Sequence, residues 1–397
     1  MSETVTNKRL DVVDALRGFA LMGIVIVHFA EQYLGGPTPA DHQNYTQHIP
    51  ADNVVETFIN IVLRGKFFML FSFLFGLSFT LQMDNAAKRG VNFSGRFLWR
   101  LIVLFAIGTV HHLFYRGDIL TIYAVLGLPL VLFYKVPNTW VMVVATLLML
   151  GIARFFLPIP DFKAQAESWE QPEQVYWKAL KSGSLKDVFY QNATRGAAFK
   201  TEVQINFFGR AYQTFALFLL GLMAGRTRFF ENLDEKTPQF RRALWWCVGI
   251  QVGLIGIMAL LFGVFHLDKV NEKAATFIGI GTYDVSNLLQ TGMYIFGFLL
   301  LFERKAWWRR QILKLAPYGR MALTNYVMQT LIGTTLFFSF GFGLLGDMGA
   351  TATVAIAIIV FIAQRYFSKW WLERYRFGPL EWLWRSVTFL TIQPFKK

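Results

Sequence analysis

The sequence predicts an all-α integral membrane protein, a bundle of about ten transmembrane helices with both termini in the cytoplasm. Three observations predict this fold class. The 397 residues are 54% hydrophobic and only 16% charged, whereas soluble domains carry about 25% charged residues. Apolar segments of spanning or near-spanning length recur along the chain, and a membrane-spanning helix needs roughly 20 residues. Positive charge is concentrated in every second connection between these segments.

The apolar segments follow one another along the whole chain, which predicts one integral membrane domain over residues 1–397. They run over 14–35, 54–82, 97–115, 118–135, 138–157, 206–226, 242–266, 284–302, 320–341 and 347–371. The second segment is longer than one span and contains the polar run Arg64-Gly65-Lys66. We predict that the helix breaks there, leaving a short amphipathic piece before the true span.

The charge of the connections predicts the orientation. Lysine and arginine are frequent after the second, sixth and eighth segments and in the tail, 372–397, which we predict to be amphipathic and cytoplasmic. The opposite connections hold few of them, and positive charge marks the cytoplasmic side of a membrane. Residues 158–205 are an exception, because this outer segment mixes aromatic and charged residues. We predict that it forms short interfacial helices or an extracytoplasmic cap.

Composition also limits the partners. The formal net charge of +14 follows from the positive connections, so membrane lipids are expected partners and nucleic acid is not. Cys247 is the only cysteine and allows neither an intrachain disulfide nor a multi-cysteine metal site. We expect no metal, because the adjacent residues His111 and His112 point in different directions along a helix. The sequence leaves the oligomeric state open, a homo-oligomer included.

The first segment carries the most informative polar residues. Arg17 and His28 flank ten residues without a polar side chain, a run too short to cross a bilayer by itself. A spanning helix must carry one or both into the membrane, where ionisable groups are costly and commonly functional. A separation of eleven positions in a helix returns to within about 20° of the same face, so Arg17 and His28 would share one face, roughly 16 Å apart along the axis.

Each of these two residues has a carboxylate three positions away, Asp14 beside Arg17 and Glu31 beside His28. A carboxylate can hold an imidazole in one tautomer, so His28 and Glu31 are the catalytic candidates, with His28 removing a proton from an attacking hydroxyl. Two structural alternatives remain open. Arg17 is equally a candidate for an interfacial anchor, and His28 for a hydrogen bond to another helix.

Three further groups are candidates for substrate binding. The first lies at the outer end of the third segment, and solvated anchoring is its alternative: His111, His112, Arg116 and Asp118. Arg64 and Lys66 lie on the side where positive charge is disfavoured, and either recognise an anionic acceptor such as a lipid phosphate or extend to the interface. Asn325 belongs to a polar face of the ninth segment, for which hydrogen bonding between helices is the alternative.

Five stretches carry a family resemblance. They are Leu10-Asp-Val-Val-Asp-Ala-Leu-Arg-Gly-Phe-Ala-Leu-Met-Gly-Ile24, Gly65-Lys-Phe-Phe-Met-Leu-Phe-Ser-Phe-Leu-Phe-Gly76, Gly117-Asp-Ile-Leu-Thr-Ile-Tyr-Ala124, Gly319-Arg-Met-Ala-Leu-Thr-Asn-Tyr326 and Phe377-Gly-Pro-Leu-Glu-Trp-Leu-Trp-Arg385. Together they resemble the YeiB-like membrane proteins of domain-of-unknown-function family 418. The resemblance covers most of the chain.

That family is thought to be distantly related to acyltransferase family 3 and to the heparan-alpha-glucosaminide N-acetyltransferases. Family 3 enzymes carry an arginine and a histidine separated by ten residues in their first helix, and Arg17 and His28 match that spacing. YeiB-like sequences more often have asparagine at the histidine position. At this position the chain therefore looks more like the distant enzymes.

The resemblance implies an O- or N-acyltransferase of the bacterial cytoplasmic membrane. An acyl group, with acetyl as first candidate, would pass from cytoplasmic acyl-coenzyme A to an extracytoplasmic envelope glycan or lipid. His28 would be the general base or a transient acyl carrier, and Arg17 with Asp14 would bind the donor near the inner face. The alternatives are a transporter or flippase for an amphipathic or anionic envelope precursor, and a protein that kept the fold without the chemistry.

Overall fold

The computed structural model describes residues 2–152, 154, 162–206 and 209–397, and these ranges are helical, with no β-strand beyond one bridge between Tyr375 and Lys396. The helices are α1 Ser2–Ala30, α2 Pro50–Phe58, α3 Lys66–Ala87, α4 Ser94–Phe114, α5 Leu120–Phe133, α6 Asn138–Met149, α7 Phe162–Ser182, α8 Leu185–Gln191, α9 Ala197–Ile205, α10 Arg210–Arg226, α11 Leu233–Met258, α12 Leu267–Val270, α13 Glu272–Arg304, α14 Ala306–Leu313, α15 Ala316–Arg320, α16 Ala322–Phe337, α17 Ala350–Arg374 and α18 Pro379–Phe389. Short π-helical turns extend α2, α8 and α11 at Ile59–Leu63, Asn192–Gly196 and Ala259–Val264.

Among the described residues, six helical stretches are long and apolar enough to cross a membrane. They are Asp11–Ala30, Pro50–Ala87, Ser94–Phe114, Leu233–Val264, Glu272–Arg304 and Ala350–Arg374. A seventh arises if Leu185–Ile205 and Arg210–Arg226, which meet at a 62° bend, are counted as one broken span. Each apolar segment of the sequence therefore holds a helix, but several of those helices, such as the 12-residue α6, are shorter than a bilayer requires.

The predicted break in the second apolar segment is confirmed. Gly65 has a φ of +87°, a left-handed conformation that glycine adopts without the steric cost of a Cβ atom. The Lys66 ammonium donates to the carbonyl oxygen of Asn60 at 3.2 Å. It therefore places a positive charge at the carboxyl end of the preceding π-helical turn, where helix carbonyls lack partners.

Glycines set the closest helix crossings of the bundle. A Cβ atom on Gly319 of α15 would lie 1.8 Å from the carbonyl oxygen of Asp14 on α1, and one on Gly18 would lie 2.4 Å from that of Leu315. The crossing of α3 and α10 is built in the same way by Gly76 and Gly221. Small residues let the backbones of membrane helices approach closely, and the first crossing holds α1 in the centre of the bundle.

We expect Gly319→Ala to lower the stability of the folded chain by about 1–3 kcal/mol, the usual cost of overpacking, because the added methyl group meets backbone atoms. Gly297→Ala on α13 is the matched control, since a Cβ atom there has no neighbour within 4 Å. The measurement is the thermal unfolding midpoint of each purified variant in detergent. Equal midpoints for the two variants would contradict the close crossing of α1 and α15.

The outer segment and the tail are folded against the bundle. In the outer segment α7, α8 and α9 lie across the end of α4, with the Asn192 amide donating to the carbonyl oxygen of Leu113 at 2.8 Å. In the tail, the Glu381 carboxylate on α18 accepts from the backbone amides of Leu323 and Thr324 at 2.7 and 3.0 Å. Glu381 thereby satisfies free amides at the beginning of α16.

Candidate functional site

Two histidines and three tyrosines meet in the bundle near one end of α1. This histidine centre consists of His28, Tyr33, His111, Tyr115 and Tyr326. The His28 ring lies 5.4 Å from that of Tyr33, 5.1 Å from Tyr115 and 6.2 Å from Tyr326, measured between ring centroids. The Tyr326 ring also lies 4.9 Å from that of His111. His28 therefore faces protein rather than lipid, and its buried Nδ1 atom has no hydrogen-bond partner among the described residues.

His111 has the hydrogen bonds that the sequence suggested for His28. Its Nδ1 atom lies 2.8 Å from the Asp118 carboxylate, and its Nε2 atom lies 2.8 Å from the Thr330 hydroxyl. Because a carboxylate only accepts hydrogen bonds, Nδ1 donates to Asp118; when the ring is neutral, Nε2 accepts from the Thr330 hydroxyl. A carboxylate, an imidazole and a hydroxyl are thus connected in the order that activates a hydroxyl in hydrolytic enzymes.

Asp118 is held as an anion. Burial would raise the pKa of this carboxyl, but the hydrogen bond from His111, the charge of Lys200 and a hydrogen bond from Thr121 together hold the pKa well below its usual range. The same carboxylate accepts from the backbone amides of Leu120 and Thr121, at 3.0 Å each, at the beginning of α5. Its negative charge is therefore fixed next to His111.

His112 has an internal role. The Lys200 ammonium donates to its Nδ1 atom at 2.9 Å, so its Nε2 atom carries the proton and donates to the carbonyl oxygen of Asn192 at 2.8 Å. Both ring nitrogens are used between α4 and the outer segment. This arrangement favours a supporting role over the predicted substrate contact, because no ring nitrogen remains for a ligand.

Arg116 is also fully engaged. It is 1% exposed and donates to the Glu173 carboxylate at 2.7 Å and to the carbonyl oxygen of Leu34 at 2.8 Å. Its guanidinium carbon lies 3.9 Å from the centroid of the Tyr176 ring. This arrangement favours a structural role for Arg116 over the predicted contact with substrate, because its buried ion pair fastens α7 over the histidine centre.

The predicted pairing of Glu31 with His28 is wrong. The Glu31 carboxylate lies 3.3 Å from the guanidinium of Arg64, and no hydrogen bond joins it to His28. The physical reason is the break at Gly65, which brings a full positive charge to the end of α1. Arg64 and Lys66 thus form contacts around the helix break, and their predicted role toward an anionic acceptor stays a prediction.

The pairing of Arg17 with Asp14 is confirmed, since the two side chains form an ion pair within α1. Arg17 also donates to the Ser78 hydroxyl on α3 at 2.7 Å. Between Arg17 and His28, Ala20 and Leu21 have no exposed surface. The stripe that joins the two polar residues is therefore packed, and Arg17 already has a counter-ion with which a donor phosphate would compete.

Asn325 lies in a separate buried network. Its amide donates to the carbonyl oxygen of Tyr318 at 3.0 Å and to the Ser368 hydroxyl on α17 at 2.9 Å. The structure favours hydrogen bonding between helices for Asn325 over contact with substrate. The residue after it, Tyr326, is the one that reaches the histidine centre.

Sequence reasoning missed Thr330, Glu173 and Lys200. Thr330 follows Tyr326 by four residues, so the polar face of α16 contained a signal for it. Glu173 and Lys200 come from the outer segment, where no spacing distinguishes them from the neighbouring charged residues. Within the described part of the chain, no three histidine, cysteine or carboxylate side chains are grouped as metal ligands.

Comparison with known proteins identifies the family. The chain is 31% identical to the uncharacterized protein YxaH of Bacillus subtilis (strain 168), over 100% of this chain and 98% of that protein. The family model described as protein of unknown function DUF418 matches residues 224–391. The chain belongs to the YeiB-like DUF418 family.

Two further relatives have similar coverage. The uncharacterized protein YeiB of Escherichia coli (strain K12) is 27% identical over 96% of this chain and 97% of its own. An uncharacterized 39.9 kDa protein in the amylase 3' region of Bacillus acidopullulyticus is 29% identical over 98% of this chain and 96% of its own. No solved structure matches the chain. The names of these relatives state no activity.

Proposed function

We propose that this DUF418 protein is a membrane acyltransferase whose reaction centre is the histidine centre with Asp118 and Thr330. One observation carries the proposal: the buried chain Asp118–His111–Thr330, with hydrogen bonds of 2.8 Å on both sides of the imidazole. His28 lies beside it with an unpartnered buried nitrogen. His111, rather than His28 with Glu31, is the general base.

The proposed reaction is acyl transfer from a thioester to a hydroxyl or amine. The Thr330 hydroxyl passes its proton to His111 Nε2 and takes the proton of the attacking group, while that group forms a bond to the acyl carbon. The bond between this carbon and the thioester sulfur breaks, and the protonated His111 returns its proton to the leaving thiolate. Asp118 stabilises the imidazolium in between. The free Nδ1 of His28 binds the acyl oxygen or the acceptor.

The topology supports a donor on one side and an acceptor on the other. We propose ten membrane-crossing helices in the bacterial cytoplasmic membrane, the shorter helices being completed by flanking residues, with both termini in the cytoplasm. Arg17 then lies toward the cytoplasm and binds acyl-coenzyme A, acetyl-coenzyme A first among them. Because Ala20 and Leu21 are packed, the acyl arm reaches His111 only after α1 separates from its neighbours.

The proposal is tested with the purified full-length chain and acetyl-coenzyme A. We expect release of free coenzyme A thiol that depends on an added hydroxyl acceptor, and loss of this release in Thr330→Val and His111→Ala. Thr330→Val removes the hydroxyl and keeps the side-chain shape, so it controls for misfolding of the second variant. If the folded wild-type chain neither binds acetyl-coenzyme A nor releases thiol from it, the proposal is overturned.

A transporter of an anionic envelope precursor is the second candidate. Two observations favour it: the helix break at Gly65 and the bend between Leu185–Ile205 and Arg210–Arg226, because interrupted helices are common at transport sites. Such a protein would move an anionic lipid precursor across sealed vesicles without any acyl donor. Movement that needs no acetyl-coenzyme A, together with absent thiol release, would favour this candidate over the enzyme.

A further inference from the structure

We infer that the chain binds a neutral oligosaccharide in a groove between α7 and the loops that follow α1 and α16. This outer groove has a volume of about 760 Å³, within the range of roughly 300–1,000 Å³ typical of ligand sites. Its lining includes His42 and Tyr45 of the loop after α1, Gln174, Trp177 and Lys181 of α7, and Asp347 of the loop between α16 and α17. The inference deepens the proposed function, on which it rests, by naming the class of acceptor.

The walls of the outer groove are held in place by side-chain hydrogen bonds. The Lys181 ammonium on α7 donates to the carbonyl oxygens of Gly343 and Leu345, at 3.1 and 2.6 Å, in the loop between α16 and α17. The Gln32 amide, at the end of α1, donates to the carbonyl oxygen of Met348 at 2.7 Å and accepts from the Gly346 amide at the same distance. The groove is therefore a preformed site between α7 and two anchored loops.

Aromatic rings form one side of the outer groove. The His42 ring stacks on the Trp177 indole with 4.5 Å between the centroids and 18° between the planes. The Tyr45 ring meets the same indole edge-on at 5.2 Å. Trp177 is buried beneath His42, so the partly exposed His42 ring offers the flat surface that suits the apolar face of a pyranose ring. The polar edge of the sugar needs hydrogen bonds. Planar amides on the groove supply those bonds, at Gln43, Asn44 and Gln174.

Charge distinguishes a neutral sugar from an anionic headgroup. Two lysines line the groove, Lys178 and Lys181, and two aspartates balance them, Asp41 and Asp347. Lys181 is already paired with Asp347 at 2.6 Å. An anion site normally offers an excess of positive charge, and this groove offers none. A ligand rich in hydroxyl groups and without net charge fits this lining better than a phosphate does.

Two contacts connect the outer groove to the reaction centre. The Tyr45 hydroxyl donates to the carbonyl oxygen of Glu31 at 2.9 Å, three residues beyond His28. Tyr176, which precedes Trp177, packs on Arg116, and the residue before Arg116 is Tyr115 of the histidine centre. The outer groove is therefore joined to the surroundings of His28 through Tyr45 and Tyr176.

The test is calorimetric titration of the purified full-length chain with chitotetraose, a neutral oligosaccharide. We expect binding that His42→Ala and Gln174→Ala each weaken roughly tenfold, the scale of one aromatic contact or hydrogen bond. Tyr190→Ala is the control, because Tyr190 is an exposed aromatic residue of the same outer segment, 64% exposed, and lies outside the groove. It should leave the affinity unchanged.

Other outcomes would overturn the inference. They are the absence of chitotetraose binding, binding that the groove variants do not weaken, and displacement of the sugar by inorganic phosphate or by phosphatidylglycerol vesicles. The result is independent of the proposed reaction. Sugar binding in the groove without thiol release would reject the acyltransferase and support the oligosaccharide site. Thiol release with an acceptor that does not bind in the groove would support the acyltransferase and reject the oligosaccharide site.

Discussion

Asp118→Asn is expected to lower acyl transfer by roughly 100- to 10,000-fold, the range that general acid–base groups contribute. The amide cannot stabilise the positive charge that develops on His111, and it favours the wrong tautomer of the imidazole. The fold should survive, because asparagine caps a helix about as well as aspartate and its single side-chain oxygen can still accept from one of the two amides at the start of α5. The measurement is the rate of thiol release from acetyl-coenzyme A, beside the elution profile of the variant.

Asp187→Asn is the matched control for this prediction. Asp187 is also a capping aspartate, bonded to the Ser184 amide at 2.8 Å at the start of α8, but it is exposed and forms no hydrogen bond with a residue of the histidine centre. It should keep the wild-type rate. Full activity of a folded Asp118→Asn variant would show that the carboxylate only caps α5, and the assignment of His111 as general base would fail.

Glu173→Ala is expected to cost about 3–5 kcal/mol of stability, because it leaves the buried charge of Arg116 without a counter-ion. Arg195 loses its partner as well, since its Nε atom donates to the same carboxylate at 3.0 Å. The thermal midpoint in detergent should fall strongly. Limited proteolysis should cut the outer segment faster, because α7 is fastened to the bundle through this pair.

Glu373→Ala is the comparison for Glu173→Ala. Glu373 lies 3.9 Å from Arg374, and both side chains are more than half exposed, so its loss should change stability by less than about 1 kcal/mol. Equal midpoints for the two variants would contradict the buried pair. The difference matters for function, because α7 also forms one wall of the outer groove.

Local features of the fold could be predicted from the sequence. The break at Gly65 follows from a glycine between two cationic residues in an apolar run. The Arg17–Asp14 pair follows from a spacing of three residues on one helix. Both features depend on residues that are close in the sequence, so local sequence patterns are enough to predict them.

The composition of the candidate site could be predicted only in part. The sequence indicates His28, His111 and Asp118 as candidates, but the partner of each is set by contacts between distant helices. Glu31 satisfies the spacing rule for His28, yet Arg64 is a stronger partner because its full positive charge reaches the same carboxylate. Thr330 meets His111 from 219 positions away, and a single sequence does not encode that distance in any local pattern.

The central claim, acyl transfer at His111, is tested most directly in liposomes that contain the full-length chain in one orientation. Labelled acetyl-coenzyme A is enclosed on the side of Arg17, and chitotetraose is added on the side of the outer groove. The account predicts labelled oligosaccharide outside wild-type liposomes, and none with Thr330→Val or His111→Ala. Absence of label with the folded wild-type chain, or equal labelling with all three chains, would contradict it.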